Sequence, residues 1–222
     1  MTDALPAVVG PHALAVARAL LEAGTVRLVP DDPVTFRSGL RSPVYVDNRR
    51  LISEPDAWRV VIRAFAAVLP PEGPAGTGAV VIAGVESAGI PHSSALAFET
   101  GLPSVYVRKA AKEHGLGRRV EGGEVAGRHV VLVEDMVTTG GSGLAAVEAL
   151  REEGALVSRC LAIITYGFPE ARSAFAAAGV SLAVLTTFAD VVAEAQASGH
   201  IDRRTADTVR AWMADPHSWS AA

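Results

Sequence analysis

Hydrophobic and polar positions along the chain follow two periods in turn. Near the middle, Val130, Val131, Leu132 and Val133 form an unbroken aliphatic run, the pattern of a parallel strand covered on both faces. The run breaks at Glu134 and Asp135, and the polar loop Thr138-Thr-Gly-Gly-Ser142 leads into a helix predicted to start near Gly143. Further apolar runs at 79–83, 104–107, 156–166 and 182–187 read as strands. Helical periods mark 55–69, 144–153 and 169–178, and also 12–23, where positions 13, 16, 20 and 14, 17, 21 share a face before Gly24. Two helices, about 189–198 and 202–214, close the chain. Strands alternating with helices predict an α/β fold, a mostly parallel sheet flanked by helices on both faces.

Two stretches depart from this alternation. Residues 25 to 50 hold short β-like pieces (26–29, 34–36, 44–46) broken by prolines, which suggests a small N-terminal sub-structure beside the sheet. Within it, Phe36 to Arg49 packs three arginines and a tyrosine among turn residues, a composition that also suits a solvated hairpin. The second stretch, Arg108 to Glu124, is a long polar connection containing Arg108, Lys109, Lys112, His114, Arg118 and Arg119. Loops of this length inside a compact domain are generally lids or disordered. Of 20 cationic side chains only Lys109 and Lys112 are lysines, and both fall here beside His114. A compact, rotatable ammonium differs from a planar guanidinium as a phosphate partner and proton donor.

Composition narrows the classes. At 222 residues, half of them hydrophobic, the chain suits a single domain spanning 1–222. A net charge of −4 gives no general pull toward nucleic acid or an anionic membrane. No run of 18 apolar residues and no basic leader followed by an apolar stretch is present, so a cytoplasmic protein without a targeting peptide is expected. The single cysteine, Cys160, lies in an apolar run and reads as a small buried hydrophobe rather than a nucleophile. Trp212 and Trp219 read as packing or subunit-contact residues.

The central stretch carries the chemistry. Open α/β sheets bind ligands at the carboxyl ends of their strands, which is where Glu134 and Asp135 fall. The glycines after them let backbone N–H groups converge, and a helix N-terminus favours a phosphate by about 0.3 to 2 kcal/mol. Thr138, Thr139 and Ser142 add hydroxyl donors. Carboxylates repel a phosphate in contact, so the acids should face neutral hydroxyls, with any Mg²⁺ nearby. An anionic group beside a diol describes a ribose 5-phosphate. The bland alternative is a β-turn-α corner with solvated acids, and the strict order of strand, acids, hydroxyls, glycines and helix argues against it. Neither the dinucleotide fingerprint nor the nucleotide-binding lysine loop is matched.

Residues 129–143 resemble, almost position for position, the phosphoribosyl pyrophosphate (PRPP) motif of the type I phosphoribosyltransferases. Phe36 to Arg49 resembles the hood of orotate phosphoribosyltransferases, Gly84 to Pro91 their pyrophosphate loop, and Arg108-Lys109-x-x-Lys112-x-His114-Gly115 their mobile catalytic loop. The resemblance runs from about residue 12 to the end. It implies the type I phosphoribosyltransferase fold with a hood at about 25–50, and the Mg²⁺-dependent transfer of ribose 5-phosphate from PRPP to orotate in pyrimidine synthesis. By resemblance, Asp135, Lys112 and His114 are catalytic. PRPP is held by Glu134, Asp135, Met136, Val137, Thr138, Thr139, Gly140, Gly141 and Ser142, with Arg108, Lys109, Lys112 and His114 at its pyrophosphate. Orotate meets Thr138, Arg37 and Tyr45. The Mg²⁺ is carried by PRPP rather than by a protein metal site. A homodimer with active sites shared between subunits is implied, with no nucleic-acid or membrane partner.

Three positions depart from the family pattern. Many members carry lysine at Arg37, some carry lysine at Ala88, and some carry an orotate-binding arginine at Tyr166, which leaves open which cation meets the orotate carboxylate. Two other readings share the central motif. A purine phosphoribosyltransferase should lack the hood and lysine lid, and a PRPP-sensing regulator that binds nucleic acid needs a DNA-reading region, for which about 24 residues before the hood are too few.

Overall fold

The computed structural model describes residues 7–8, 12–35, 41–69, 80–110, 118–216 and 218–219. Among these, the strands are β1 (Ala7–Val8), β2 (Val26–Leu28), β3 (Val34–Thr35), β4 (Arg41–Ser42), β5 (Val44–Val46), β6 (Val81–Val85), β7 (Ser104–Val107), β8 (Val120–Glu121), β9 (His129–Val137), β10 (Leu156–Thr165) and β11 (Ser181–Thr187). The helices are α1 (Ala13–Glu22), α2 (Pro55–Val68), α3 (Gly89–Thr100), α4 (Gly141–Glu152), α5 (Pro169–Ala177), α6 (Phe188–Ala197) and α7 (Arg203–Ala214), with a 3-10 helix at Asn48–Ser53. The main sheet has seven strands in the order β1-β11-β10-β9-β6-β7-β8. All its pairs are parallel except β7 with β8.

The aliphatic run of β9 explains the layering. Val131 and Val133 point into a core shared with α1, α2, α3, α6 and α7, whereas Val130 and Leu132 point into one shared with α4 and α5. A period of two therefore feeds both faces, which is why the run has no polar alternation. Each such fully buried side chain contributes roughly 1.5 to 3 kcal/mol. Local signals set the helix ends. Thr187 and Asp190 form a capping box that starts α6 one residue before the expected 189, and Asp202 accepts from the Thr205 N–H at the start of α7.

The sub-structure before the sheet is two antiparallel pairs, β2 with β5 and β3 with β4. Val26 and Val44 anchor it in the larger core. Trp212, buried on α7, donates its indole N–H to the Arg41 carbonyl at 3.1 Å. That fits the packing role expected of this tryptophan, and Trp219 packs against the same core.

Several expected boundaries shift for visible reasons. The β9 strand does not stop at Glu134 but runs to Val137, because β10 stays paired with it through Thr165↔Val137. The α4 helix starts at Gly141 instead of about 143, since Gly140 takes a left-handed φ of 89° that turns the chain straight into the helix. The 108–124 connection is not wholly irregular. It holds β8, and Val120 is buried, as is Val125 just after it. Among the described residues no helix is long and apolar enough to cross a membrane.

Candidate active site

The site begins where the sheet splits. Pairing of β9 with β6 ends at Gly84↔Val133, while pairing with β10 continues four residues further, to Val137. From Glu134 onward one edge of β9 is therefore open, and a crevice forms there as expected at a strand's carboxyl end. The opposite wall is the turn Glu86-Ser87-Ala88 and the start of α3, which lies directly on β9. A Cβ on Gly89 would sit 2.5 Å from the Val133 carbonyl oxygen, so only glycine permits this approach. The resulting cleft has a volume of about 240 Å³ and is lined by Val46, Asp47, Arg49, Glu86, Ser87, Ala88, Lys109, Glu134, Asp135, Met136 and Ser142.

Glu134 is buried at its floor, 4% exposed. Burial pushes its carboxyl up to about 7, opposed by the 2.6 Å hydrogen bond that Ser142 Oγ donates to it and reinforced by the neighbouring Asp135. Asp135 is likewise raised by burial, while the Met136 N–H and its own N–H favour the carboxylate. The two acids are thus held ready for a positively charged or hydroxyl-bearing group and unsuited to an anion. Anion-binding capacity lies just beyond them. At α4 the N-cap is Gly140, which supplies no side-chain cap, so the first-turn N–H groups have no helical partner. A Cβ there would meet the Phe175 ring at 2.9 Å, which fixes the loop against α5.

The hood supplies the third wall. Asp47 Oδ1 and Oδ2 accept from Arg49 Nε at 2.6 Å and Nη2 at 2.9 Å. That paired guanidinium, first through its hydrogen bond, holds the Asp47 carboxyl below its usual range. Between them, Asn48 is fully buried and donates Nδ2–H to the Asp135 carbonyl at 3.0 Å. On the far wall, the Lys109 N–H donates to Glu86 Oε2 at 2.6 Å.

The geometry is matched by known proteins. The phosphoribosyl transferase domain family matches residues 55–177. Over 207 residues the chain is 39% identical to the orotate phosphoribosyltransferase of Lactococcus lactis subsp. cremoris (strain SK11), covering 93% of this chain and 98% of that relative. The chain belongs to the orotate phosphoribosyltransferase family. Among solved structures, the orotate phosphoribosyltransferase from Aeropyrum pernix superposes with a TM-score of 0.69 at 30% identity, over 84% of this chain and 99% of that one. The Mycobacterium tuberculosis H37Rv orotate phosphoribosyltransferase in complex with PRPP gives 0.62 at 26% identity, over 82% and 99%.

The family's predicted site residues are distributed unevenly. Glu134, Asp135, Met136, Ser142 and Lys109 line one cleft. Val137 ends β9, and Thr138, Thr139 and Gly140 connect it to Gly141 at the head of α4. Tyr45 lies on β5 opposite Arg27. Arg108 stands at the root of β7 and β8, its backbone paired with Arg119 and its Nη1 3.8 Å from Glu121, and is not part of the cleft lining. Arg37, Lys112 and His114 lie outside the described residues. Ala88 lines the cleft but is neutral. Tyr166 instead belongs to the core, with ring centroids 5.5 Å from Phe168, 5.1 Å from Phe188 and 5.4 Å from Trp212. Cys160 is buried and its thiol is pushed up by desolvation, in keeping with an inert core residue.

Sequence reasoning passed over Asp47, Asn48, Arg49 and Glu86 as site residues. The signal for the first three is an acid and an arginine two positions apart directly after an apolar strand, a spacing that folds back on itself only once the 3-10 turn forms.

Proposed function

We propose that this protein transfers ribose 5-phosphate from PRPP to orotate, giving orotidine 5′-monophosphate and pyrophosphate in pyrimidine nucleotide synthesis. The observation that carries the reading is buried Glu134 beside half-buried Asp135 at the split between β6 and β9, directly ahead of an uncapped helix N-terminus.

In this reading the bond from the anomeric carbon to the pyrophosphate oxygen breaks, its electron pair leaving with pyrophosphate. The N1 atom of orotate bonds to that carbon and gives up its proton. Positive charge develops on the sugar and negative charge on the leaving group, so the reaction is served by positioned charge rather than a covalent nucleophile. Asp135 and Glu134 hold the ribose hydroxyls and stabilise the cationic sugar. Thr138, Thr139, Gly140, Gly141 and Ser142 hold the 5-phosphate, Met136 and Val137 shape the strand end beneath it, and Thr138 and Tyr45, with Arg37, face the base. Lys109, Arg108, Lys112 and His114 neutralise the pyrophosphate and exclude water as the lid closes. The carboxylate oxygens here are hard donors that suit Mg²⁺ held mainly by substrate phosphates. When bound, that ion would supply charge neutralisation on the diphosphate.

The same proposal places the protein in the cytoplasm as a single domain that pairs into a homodimer, each lid serving the partner's site. Purified protein should consume orotate only when PRPP is present, with little turnover of uracil, hypoxanthine or adenine. Loss of a purine instead of orotate would reject the assignment. For the dimer, Lys112→Ala and Asp135→Asn subunits, each inactive alone, are refolded as a mixture. Random pairing leaves one intact site in each mixed dimer, so about a quarter of wild-type activity should return in a two-fold assembly. No recovery, with subunit exchange confirmed, would reject the shared lid.

A further inference from the structure

Orotate differs from uracil by one carboxylate, and a site that distinguishes them needs a cation at the base end of the cleft. Neither Ala88 nor Tyr166 supplies one. Ala88 is neutral, and Tyr166 is packed among Phe168, Phe188 and Trp212. Among the described residues, the cleft is lined by two cationic side chains, Arg49 and Lys109. Lys109 is tied through its backbone to Glu86, on the wall formed by the turn after β6. Arg49 stands on the hood wall, three residues after Val46, which lines the same cleft.

We infer that Arg49 is a specificity-determining cation of the base site, beside the Arg37 assigned to the base above, its guanidinium receiving the substrate's carboxylate; this rests on the orotate reading above. The supporting geometry is a clamp. Asp47 occupies the edge of the guanidinium formed by Nε and Nη2. A guanidinium has five N–H donors in a rigid fork, so this leaves the end formed by Nη1 and the second Nη2 hydrogen to meet another carboxylate with two parallel bonds. Asp47 thus orients Arg49 without using the donors the substrate needs. The hood is itself fixed to the catalytic strand, because Asn48, between clamp and cation, donates to the Asp135 carbonyl at 3.0 Å. Hood and acid-bearing strand are therefore joined by one part-buried hydrogen bond, from the residue before Arg49 to the backbone of Asp135. The Arg49 side chain is 60% exposed, so the bound carboxylate is partly solvated and the effect is moderate.

The test compares orotate with uracil as acceptor, and measures PRPP affinity separately by calorimetry. In Arg49→Gln the orotate kcat/KM should fall by about tenfold or more, as for loss of a charged hydrogen-bonding partner. Uracil turnover and PRPP affinity should stay near wild type, so the preference for orotate over uracil shrinks by the same factor. Arg49→Lys, which keeps the charge and loses the fork, should recover part of it. An unchanged orotate-to-uracil ratio overturns the inference, as does an equal loss of PRPP affinity, which would place Arg49 at the diphosphate. If Arg49→Gln does not fold, the same ratio is read in Asp47→Asn, where the guanidinium is present but unclamped; a smaller fall supports the inference and no fall overturns it. Failure of wild-type protein to use orotate would instead reject the functional reading itself.

Discussion

The strand end at 129–143 and the hood at 25–50 face each other across one cleft, yet they are built in opposite ways. The strand end is made by neighbours in sequence. Its acids follow an aliphatic run, its glycines precede a helix, and Ser142 reaches back only eight residues to Glu134. The hood is made by partners far away. Asn48 reaches Asp135, 87 residues on, and the Arg41 carbonyl is held by Trp212, 171 residues on. In the proposed reading, the ribose and phosphate contacts fall to the locally determined half, where backbone geometry and charge follow from a short motif. In the proposed reading, selection of the base falls to the half whose shape depends on distant contacts.

The largest effect should come from the strand end. Asp135→Asn keeps shape and removes charge, so kcat for orotate turnover should fall by about 100-fold or more, the scale of losing one preorganised electrostatic contact. Stability should hold or rise, because burial already disfavours the ionised Asp135. Near wild-type turnover would remove this residue from the chemistry and leave the comparison without its catalytic side.

The next effect is on stability and has a definite sign. Glu134 has a folded pKa of about 7 against an ordinary 4.5, so between these values the folded state binds more protons than the unfolded one. Its stabilising contribution is full below about pH 4.5 and is lost as pH rises through 7. At 1.36 kcal/mol per unit the loss approaches about 3 kcal/mol. Buried His92, pushed down to about 4, works the other way, gaining stability as pH rises to 6.5. The quantity to read is therefore the difference between wild type and Glu134→Gln in urea unfolding at pH 5 and pH 8. That difference should change with pH, and a constant offset would mean that Glu134 is solvated in the native protein.

These effects also show why the sequence was readable in one place and opaque in another. The α/β alternation and most helix limits follow from periodicity and capping, as with Thr187 and Asp190. The acid pair and the phosphate loop follow from a contiguous motif. The extension of β9 to Val137 does not, because it depends on β10 staying paired after β6 has stopped. Nor do the clamp of Arg49 by Asp47 or the tie from Asn48. A D-x-R spacing after a strand is compatible with a solvated turn, and only the 3-10 conformation brings the side chains together over Asp135.

Asn48→Ala tests the tie between the two halves. Removing a buried donor to a backbone carbonyl should cost about 1 to 3 kcal/mol. With the phosphate loop on α4 untouched, PRPP affinity should change little while the orotate KM rises severalfold. Equal losses for both substrates, measured by calorimetry and steady-state kinetics, would mean that hood and strand end act as one unit rather than two.

The smallest effect is expected at Tyr166, and its smallness is informative. A side chain at this position would have to reach the cleft to meet a substrate carboxylate. Here the position is occupied by a ring 8% exposed and enclosed by Phe168, Phe188 and Trp212. Burial also pushes the phenol well above its usual range, and a phenol carries no positive charge in either protonation state. Tyr166→Phe keeps the ring and its contacts, and stability should change by less than about 1 kcal/mol, as for a volume-conserving core substitution. The orotate KM should be unchanged. A severalfold rise would place the phenol at the substrate and return the carboxylate site to β10. An unchanged KM beside a weakened Arg49→Gln variant would instead place a base cation on the hood, with the strand-end chemistry left as it was.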